Sequence, residues 1–234
     1  MAGKDSEVAC LKNMKLAVFG ATGPLGQQVI SQALSRNHNV TAFVRNPSAL
    51  NYLKSNPMLT IITCDVFKPS TFVDPLKSHD AIISCLGYKG IPIFAITFFT
   101  ETCRSILEAA KTANISRVIF TSSAMSKRND KSYPFFLYRF ITRPMLGRHL
   151  DDLFNMETFI QSQPNLEYTI VRPTYLTKEK LNEKFMLLVD EGKYYHANPE
   201  FAHRIPRSEV AKFMLDELEN RKWIRKGVLL DGHK

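Results

Sequence analysis

The chain reads as an α/β protein with a doubly wound, mainly parallel sheet carrying helices on both faces, and three observations predict it. A glycine-rich turn, Gly20-Ala21-Thr22-Gly23-Pro24-Leu25-Gly26, joins a short apolar run to an amphipathic one near the start of the chain. Apolar runs of strand length then alternate with stretches of helical periodicity, the pattern that right-handed βαβ crossovers require. With 44% hydrophobic and 23% charged side chains, 234 residues suffice for one large domain with a sizeable core.

The elements follow in order. Lys15–Phe19 is a buried strand leading into the glycine turn. Pro24–Ser35 is a helix, because Leu25, Val29, Ile30, Ala33 and Leu34 share one face and a proline suits the first turn. Val40–Val44 is the second strand, and Asn46-Pro47-Ser48 opens the next helix. Leu59–Thr63 is the third, ending at Cys64-Asp65-Val66; Ala81–Ser84 is the fourth, broken by Leu86-Gly87. Phe94–Asn114 is expected as one long helix and Arg117–Thr121 as the fifth strand, running into Ser122-Ser123.

Beyond it the pattern loosens. Lys127–His149, rich in basic and aromatic residues, is expected as a mobile segment over the sheet edge. Asp151–Ser162 returns to helix and Glu167–Val171 to strand, followed by Arg172-Pro173-Thr174. Pro206–Glu219 is helical, and Val228–Leu230 a last short strand. Residues 1–13 read as a flexible tail and 14–234 as one domain, with no linker or internal repeat.

A net charge of +9 favours anionic partners: phosphorylated cofactors, acidic small molecules, nucleic acid or an anionic membrane surface. The four cysteines (10, 64, 85, 103) are too scattered for a disulfide framework, and Cys64 and Cys85 read as reduced, buried thiols. The start of the chain lacks a secretory pattern, and the longest uncharged apolar run, Ile91–Phe99, is too short to span a bilayer. A cytoplasmic protein with no membrane or nucleic-acid partner is therefore expected. No recognition motif accompanies Arg221, Lys222, Arg225 and Lys226, which read as solvated surface.

The glycine turn carries the first chemistry. Placed between strand and helix, it suits a Rossmann-type phosphate cradle. Gly20 permits a sharp exit from the strand, Gly23 a close approach of backbone amides to pyrophosphate, and Gly26 close helix–strand packing. The helix N-terminus adds unpaired donors and a positive dipole end. NAD-preferring sites carry a carboxylate at the end of the second strand; this chain has Val44-Arg45-Asn46. The Arg45 guanidinium is a planar fork for a ribose 2′-phosphate. A charge-assisted hydrogen bond of about 1.5–3 kcal/mol corresponds to a roughly ten- to hundredfold preference for NADP(H). Asp65 stands where a carboxylate can accept from the adenine amino group, and Leu86-Gly87 where the adenosine ribose would lie.

Together these stretches, with Thr121-Ser122-Ser123, Tyr168–Pro173 and Ile205–Val210, resemble the NmrA-like, atypical short-chain dehydrogenases over nearly the whole chain. Within that group the likeness is to NADPH-dependent flavin and biliverdin reductases. The resemblance implies that Thr22, Gly23, Leu25 and Arg45 hold phosphates, that Asp65 and Val66 contact adenine, and that Leu86 and Gly87 flank the adenosine. It places Ser122 or Ser123 near the nicotinamide and the backbone of Pro173, Thr174, Tyr175 and Leu176 at its carboxamide. It implies an NADPH-dependent reductase of flavins, biliverdin-like or other conjugated acceptors, with a small, flat, anionic substrate.

One departure matters. None of the eight tyrosines has a lysine four residues later, so the usual Tyr–Lys proton donor is not encoded. Flavin reductase-like members work without it, and hydride transfer to a conjugated acceptor can take its proton from solvent. A non-catalytic, NADP(H)-sensing regulator with a protein partner stands as the alternative. His149, in the covering segment, is a candidate proton donor, and the six histidines show no metal-ligand spacing. The aromatic cluster Tyr133, Phe135, Phe136, Tyr138 and Phe140, interleaved with Arg139 and Arg143, reads equally as a lid over a flat substrate or as a core-facing helix with a solvated basic side.

Overall fold

The computed structural model describes residues 13–178, 185–198, 200 and 203–232. The expected tail, with Cys10, lies outside them apart from Asn13. An eight-stranded sheet has the order β3-β2-β1-β4-β5-β6-β10-β8. Its strands are β1 (Lys15–Phe19), β2 (Asn39–Val44), β3 (Leu59–Thr63), β4 (Ala81–Ser84), β5 (Arg117–Thr121), β6 (Glu167–Pro173), β8 (Leu187–Glu191) and β10 (Lys226–Gly232). All pairings are parallel except β10 with β8. A separate parallel pair joins β7 (Tyr175–Thr177) to β9 (Arg204–Pro206).

Alternation along each strand sends side chains to two cores. Leu16, Val18, Val40, Ala42, Ile83 and Val228 pack under α1 (Pro24–Ser35) and α6 (Arg207–Asn220). Ala17, Phe19, Phe43, Ile82, Phe120 and Ile170 pack under α2 (Val73–Leu76), α3 (Phe98–Thr112) and α5 (Arg143–Gln161). The helices thus cover both faces, as the sequence predicts.

Three expectations are corrected. The helix expected from Phe94 begins at Phe98, because its first turn is capped from another element. Asp152 of α5 accepts the Phe99 amide at 2.7 Å and the Thr100 hydroxyl at 2.6 Å. The segment Lys127–His149 is largely helical: α4 (Phe135–Leu137) runs through a π-turn at Tyr138–Thr142 into α5, which starts well before Asp151. Asp151 anchors it, pairing with Arg143 at 2.7 Å and with Arg128 from the preceding loop at 2.8 Å. After Asn46 comes a 3-10 helix over Pro47–Leu53, with the Asn46 side chain accepting the Ser48 amide at 3.0 Å. The antiparallel edge strand β8 was not foreseen. The thiols of Cys64, Cys85 and Cys103 are free and buried. Burial, reinforced by Asp65, pushes Cys64 up to about 11, and burial pushes Cys85 up to about 12.

Candidate functional site

Parallel register brings the expected cofactor residues to one edge of the sheet. Phe19 pairs with Phe43 and Ser84, Val44 with Thr63, and Thr121 with Val171. Gly20, Arg45, Asp65, Leu86, Ser122 and Thr174 therefore all follow the carboxyl ends of neighbouring strands, where open α/β sheets bind ligands.

The glycines at 20 and 26 are required by contact. Gly20 has φ +73°, and a Cβ there would stand 2.5 Å from the carbonyl of Cys85 and 2.7 Å from the Leu86 nitrogen. The end of β4 thus lies directly against the turn. A Cβ on Gly26 would stand 2.3 Å from the Gly20 carbonyl oxygen. Gly23 also closes the turn: its N–H donates to the Gly20 carbonyl at 3.0 Å, and its carbonyl accepts the first helical bond, from Gln27, at 2.9 Å. No side chain caps α1, so the amides of Leu25 and Gly26 in its first turn have no intrahelical acceptor and face the cradle. The cradle fits a diphosphate. Next to it opens a cavity of ≈ 210 Å³ walled in part by Pro24, Gln27, Lys178 and Arg207, which adds two cationic side chains beside the helix N-terminus.

Arg45 is exposed immediately after β2 and has no ion pair among the described residues. Asp65 is partly committed: one carboxylate oxygen accepts the Phe67 amide at 3.1 Å, and the other lies 3.7 Å from Lys68. Val66 follows it, half-buried, and Gly87 is exposed beyond half-buried Leu86. The amides of Thr174 and Tyr175 donate to Leu230 and His203 at 3.0 and 3.1 Å, and Leu176 pairs with Ile205. The Pro173 carbonyl accepts the Ala124 amide at 3.0 Å.

On the other side of the edge lies a buried polar network that sequence reasoning missed. The Ser122 hydroxyl donates to Glu157, and so does Ser126 at 3.1 Å. The other Glu157 oxygen takes Arg172 through Nε at 2.9 Å and Nη2 at 2.7 Å, and Tyr194 at 3.2 Å. The guanidinium lies over the Tyr194 ring, 3.9 Å from its centroid. Burial opposes the Arg172 charge, but Glu157 more than offsets it and holds the pKa above its ordinary value. Ser122 is committed to this network, whereas Ser123 is half-buried. A signal existed: Glu157 interrupts an apolar helical stripe (Leu153, Met156, Ile160), and Arg172 an apolar strand. Two opposite charges on buried faces must find each other.

A second chain of contacts was also missed. Buried Asp231 accepts from Thr174 at 3.1 Å and meets His203 Nδ1 at 3.2 Å. His203 Nε2 in turn meets the Tyr195 hydroxyl at 3.2 Å. Because a carboxylate only accepts, Nδ1 carries the proton and Nε2 takes the tyrosine O–H. Tyr195 packs edge-on to Tyr133, whose buried hydroxyl has no hydrogen-bond partner among the described residues.

His149 stands apart from both. Its ring packs edge-on to Tyr88 at 5.3 Å and lies near Phe99. Burial lowers its pKa despite the Gly90 carbonyl and Asp152, and so favours the neutral imidazole.

A family model described as NAD(P)H-binding matches residues 20–221. The yeast protein YMR090W (Saccharomyces cerevisiae) is 27% identical over 88% of this chain and 87% of its own length. The photosystem II assembly factor Ycf39 of Trieres chinensis is 29% identical over 94% of this chain, which spans 65% of that longer relative. Among solved structures, a short-chain dehydrogenase/reductase from Veillonella parvula in complex with NADP superposes at TM-score 0.75, with 17% identity over 94% of each chain. A candidate NADH-flavin reductase from Streptococcus pneumoniae superposes at 0.73, with 21% identity over 94% of this chain and 100% of the other. At these identities the structural likeness is one of fold.

Proposed function

The chain belongs to the NAD(P)H-binding family, and from that premise we propose that it is an NADPH-dependent reductase passing hydride to a flavin, biliverdin-like or other conjugated acceptor. The observation that carries the reading is the carboxylate-free end of β2, where exposed Arg45 stands beside a cradle that only glycine at 20 and 26 leaves open. Bound there, the dinucleotide would supply the hydride. The residues around it supply position: Leu25 and Gly26 amides hold the diphosphate, Arg45 the 2′-phosphate, and the Leu86–Gly87 turn the adenosine side. The Glu157–Arg172 network holds Ser122 and Ser126 in place under the acceptor, leaving half-buried Ser123 the freer hydroxyl. With no Tyr–Lys pair, the proton comes from solvent.

Steady-state oxidation of NADPH with FMN, riboflavin, biliverdin and quinones as acceptors tests this. Turnover with at least one, faster with NADPH than NADH, is expected; tight NADPH binding without any turnover would overturn it. A second reading, an NADP(H)-sensing regulator, has the commitment of the Ser122 hydroxyl to Glu157 in its favour, together with the likeness to an assembly factor. A partner captured with NADP+ but not with NADPH, or the reverse, would favour it.

A further inference from the structure

The aromatic cluster that opens the long helix divides into two sets. Tyr133 and Tyr138 turn inward, 4.5 Å apart, and are buried with Leu150 and Tyr195. Phe135, Phe136 and Phe140 turn outward, touching one another with centroids 5.6–6.4 Å apart, and Phe136 is 76% exposed. Ile141, Met145 and Leu146, further along the helix, are exposed as well. A second apolar segment, Ile93 and Phe94 in the loop after β4, is 78% and 81% exposed. The loop is tied to the later part of the long helix, where Arg148 donates to the Pro92 carbonyl at 3.3 Å.

A cluster of three touching, exposed phenylalanines on one helix marks a contact site on a folded chain. The charge along both segments is of one sign. Residues 86–100 and 131–150 contain no Asp or Glu. Lys89, Lys131, Arg139 and Arg148 have no ion pair among the described residues, whereas Arg143 is spent on Asp151.

We propose that this face seats the protein on an anionic lipid surface, with the helix from Phe135 lying in the plane of the interface and Ile93 and Phe94 dipping beside it. Phenylalanine and leucine entering the headgroup boundary while arginine and lysine meet acidic headgroups is the composition of an interfacial helix. A second copy of this chain is the poorer occupant. A twofold contact would set these cationic side chains against their own copies. Spanning is a different matter: no helix among the described residues is long and apolar enough to cross a membrane. The sequence alone, judged by spanning segments, points away from any membrane; the exposure of this face points to its surface.

The full chain, mixed with vesicles of phosphatidylcholine alone or with about one third phosphatidylserine, tests the proposal by co-sedimentation. Binding to the acidic vesicles only, weakening as salt is raised, is expected. Phe136→Ser with Phe140→Ser should weaken it at least about tenfold, and Arg139→Gln about fivefold. These positions are solvent-exposed, and unchanged circular dichroism and cofactor binding would show the variants folded. No vesicle binding, equal binding to neutral vesicles, or binding untouched by the double substitution would each overturn the proposal. So would a dimer in sedimentation equilibrium that the same substitution dissociates, since the face would then belong to a second copy.

Discussion

The two halves of the sheet's carboxyl edge are built from different materials. From β3 to β4 the cradle is backbone, with the Arg45 side chain beside it: a turn closed by Gly23 and Gly20, helix amides left open, and the Cys85 carbonyl packed against a glycine Cα. From β5 to β10 it is side chains: a buried carboxylate gathering two serines, an arginine and a tyrosine, then an Asp–His–Tyr series. A backbone site holds what nearly every member of such a fold must hold, a diphosphate. A side-chain site is where one chain differs from another. The same contrast governs tolerance, because a buried charge pair fails when one partner goes, and a glycine cradle fails when it gains a methyl.

The largest effect is expected at Glu157. Glu157→Leu leaves Arg172 charged and unpaired at 2% exposure, a loss of about 3–5 kcal/mol in urea unfolding. A loss below about 1 kcal/mol would mean that solvent reaches the pair and that this half is not the rigid one. Next comes Gly20→Ala, which forces a Cβ onto the Cys85 carbonyl at a positive φ. On the order of 3 kcal/mol should go, with NADPH binding, in unfolding and calorimetric titrations. Arg45→Ala acts on the cofactor and not on the fold: NADPH should bind about ten- to hundredfold more weakly, with NADH and the unfolding midpoint almost unchanged. Equal losses for the two cofactors would remove the 2′-phosphate assignment.

The smallest effect is a pH dependence on the backbone side. His79 is buried between the Leu76 carbonyl and the Thr41 hydroxyl, each at 2.8 Å, and burial lowers its pKa below 6.5. The unfolded chain therefore takes up the proton first. Stability should be fully present above the ordinary histidine range and fall as pH drops through 6.5 towards the folded value. His149, lowered by burial as well, adds in the same direction. Denaturant midpoints at neutral and mildly acid pH should differ less in His79→Gln than in the parent.

The regular half was legible because its signals are local. Apolar runs and one helical stripe placed β1, α1, β3, β4 and β5 within a residue or so of their positions, and three glycines at one spacing marked the turn. The start of α3 was not legible, since its cap is Asp152, some fifty positions along the chain. Nor was the long helix before Asp151, whose aromatic and basic stretch has no clean period and includes a π-turn. Of the site residues, Gly20, Gly26 and Arg45 could be named from spacing and strand order. Glu157 left only the signal of a charge in an apolar stripe, and His203 and Asp231 left none, because the fold alone brings Asp231 to Thr174 and His203.

What the residues by themselves determined is the order of strands and helices, the glycine turn and the sign of charge beside it. Those follow from periodicity and from the spacing of three glycines, both properties of neighbours in the chain. Tertiary structure alone decided which carboxylate meets which guanidinium, which tyrosines turn inward, and which phenylalanines stay in water. Those choices depend on distance in space, which opposes or joins residues according to how the sheet and its helices pack.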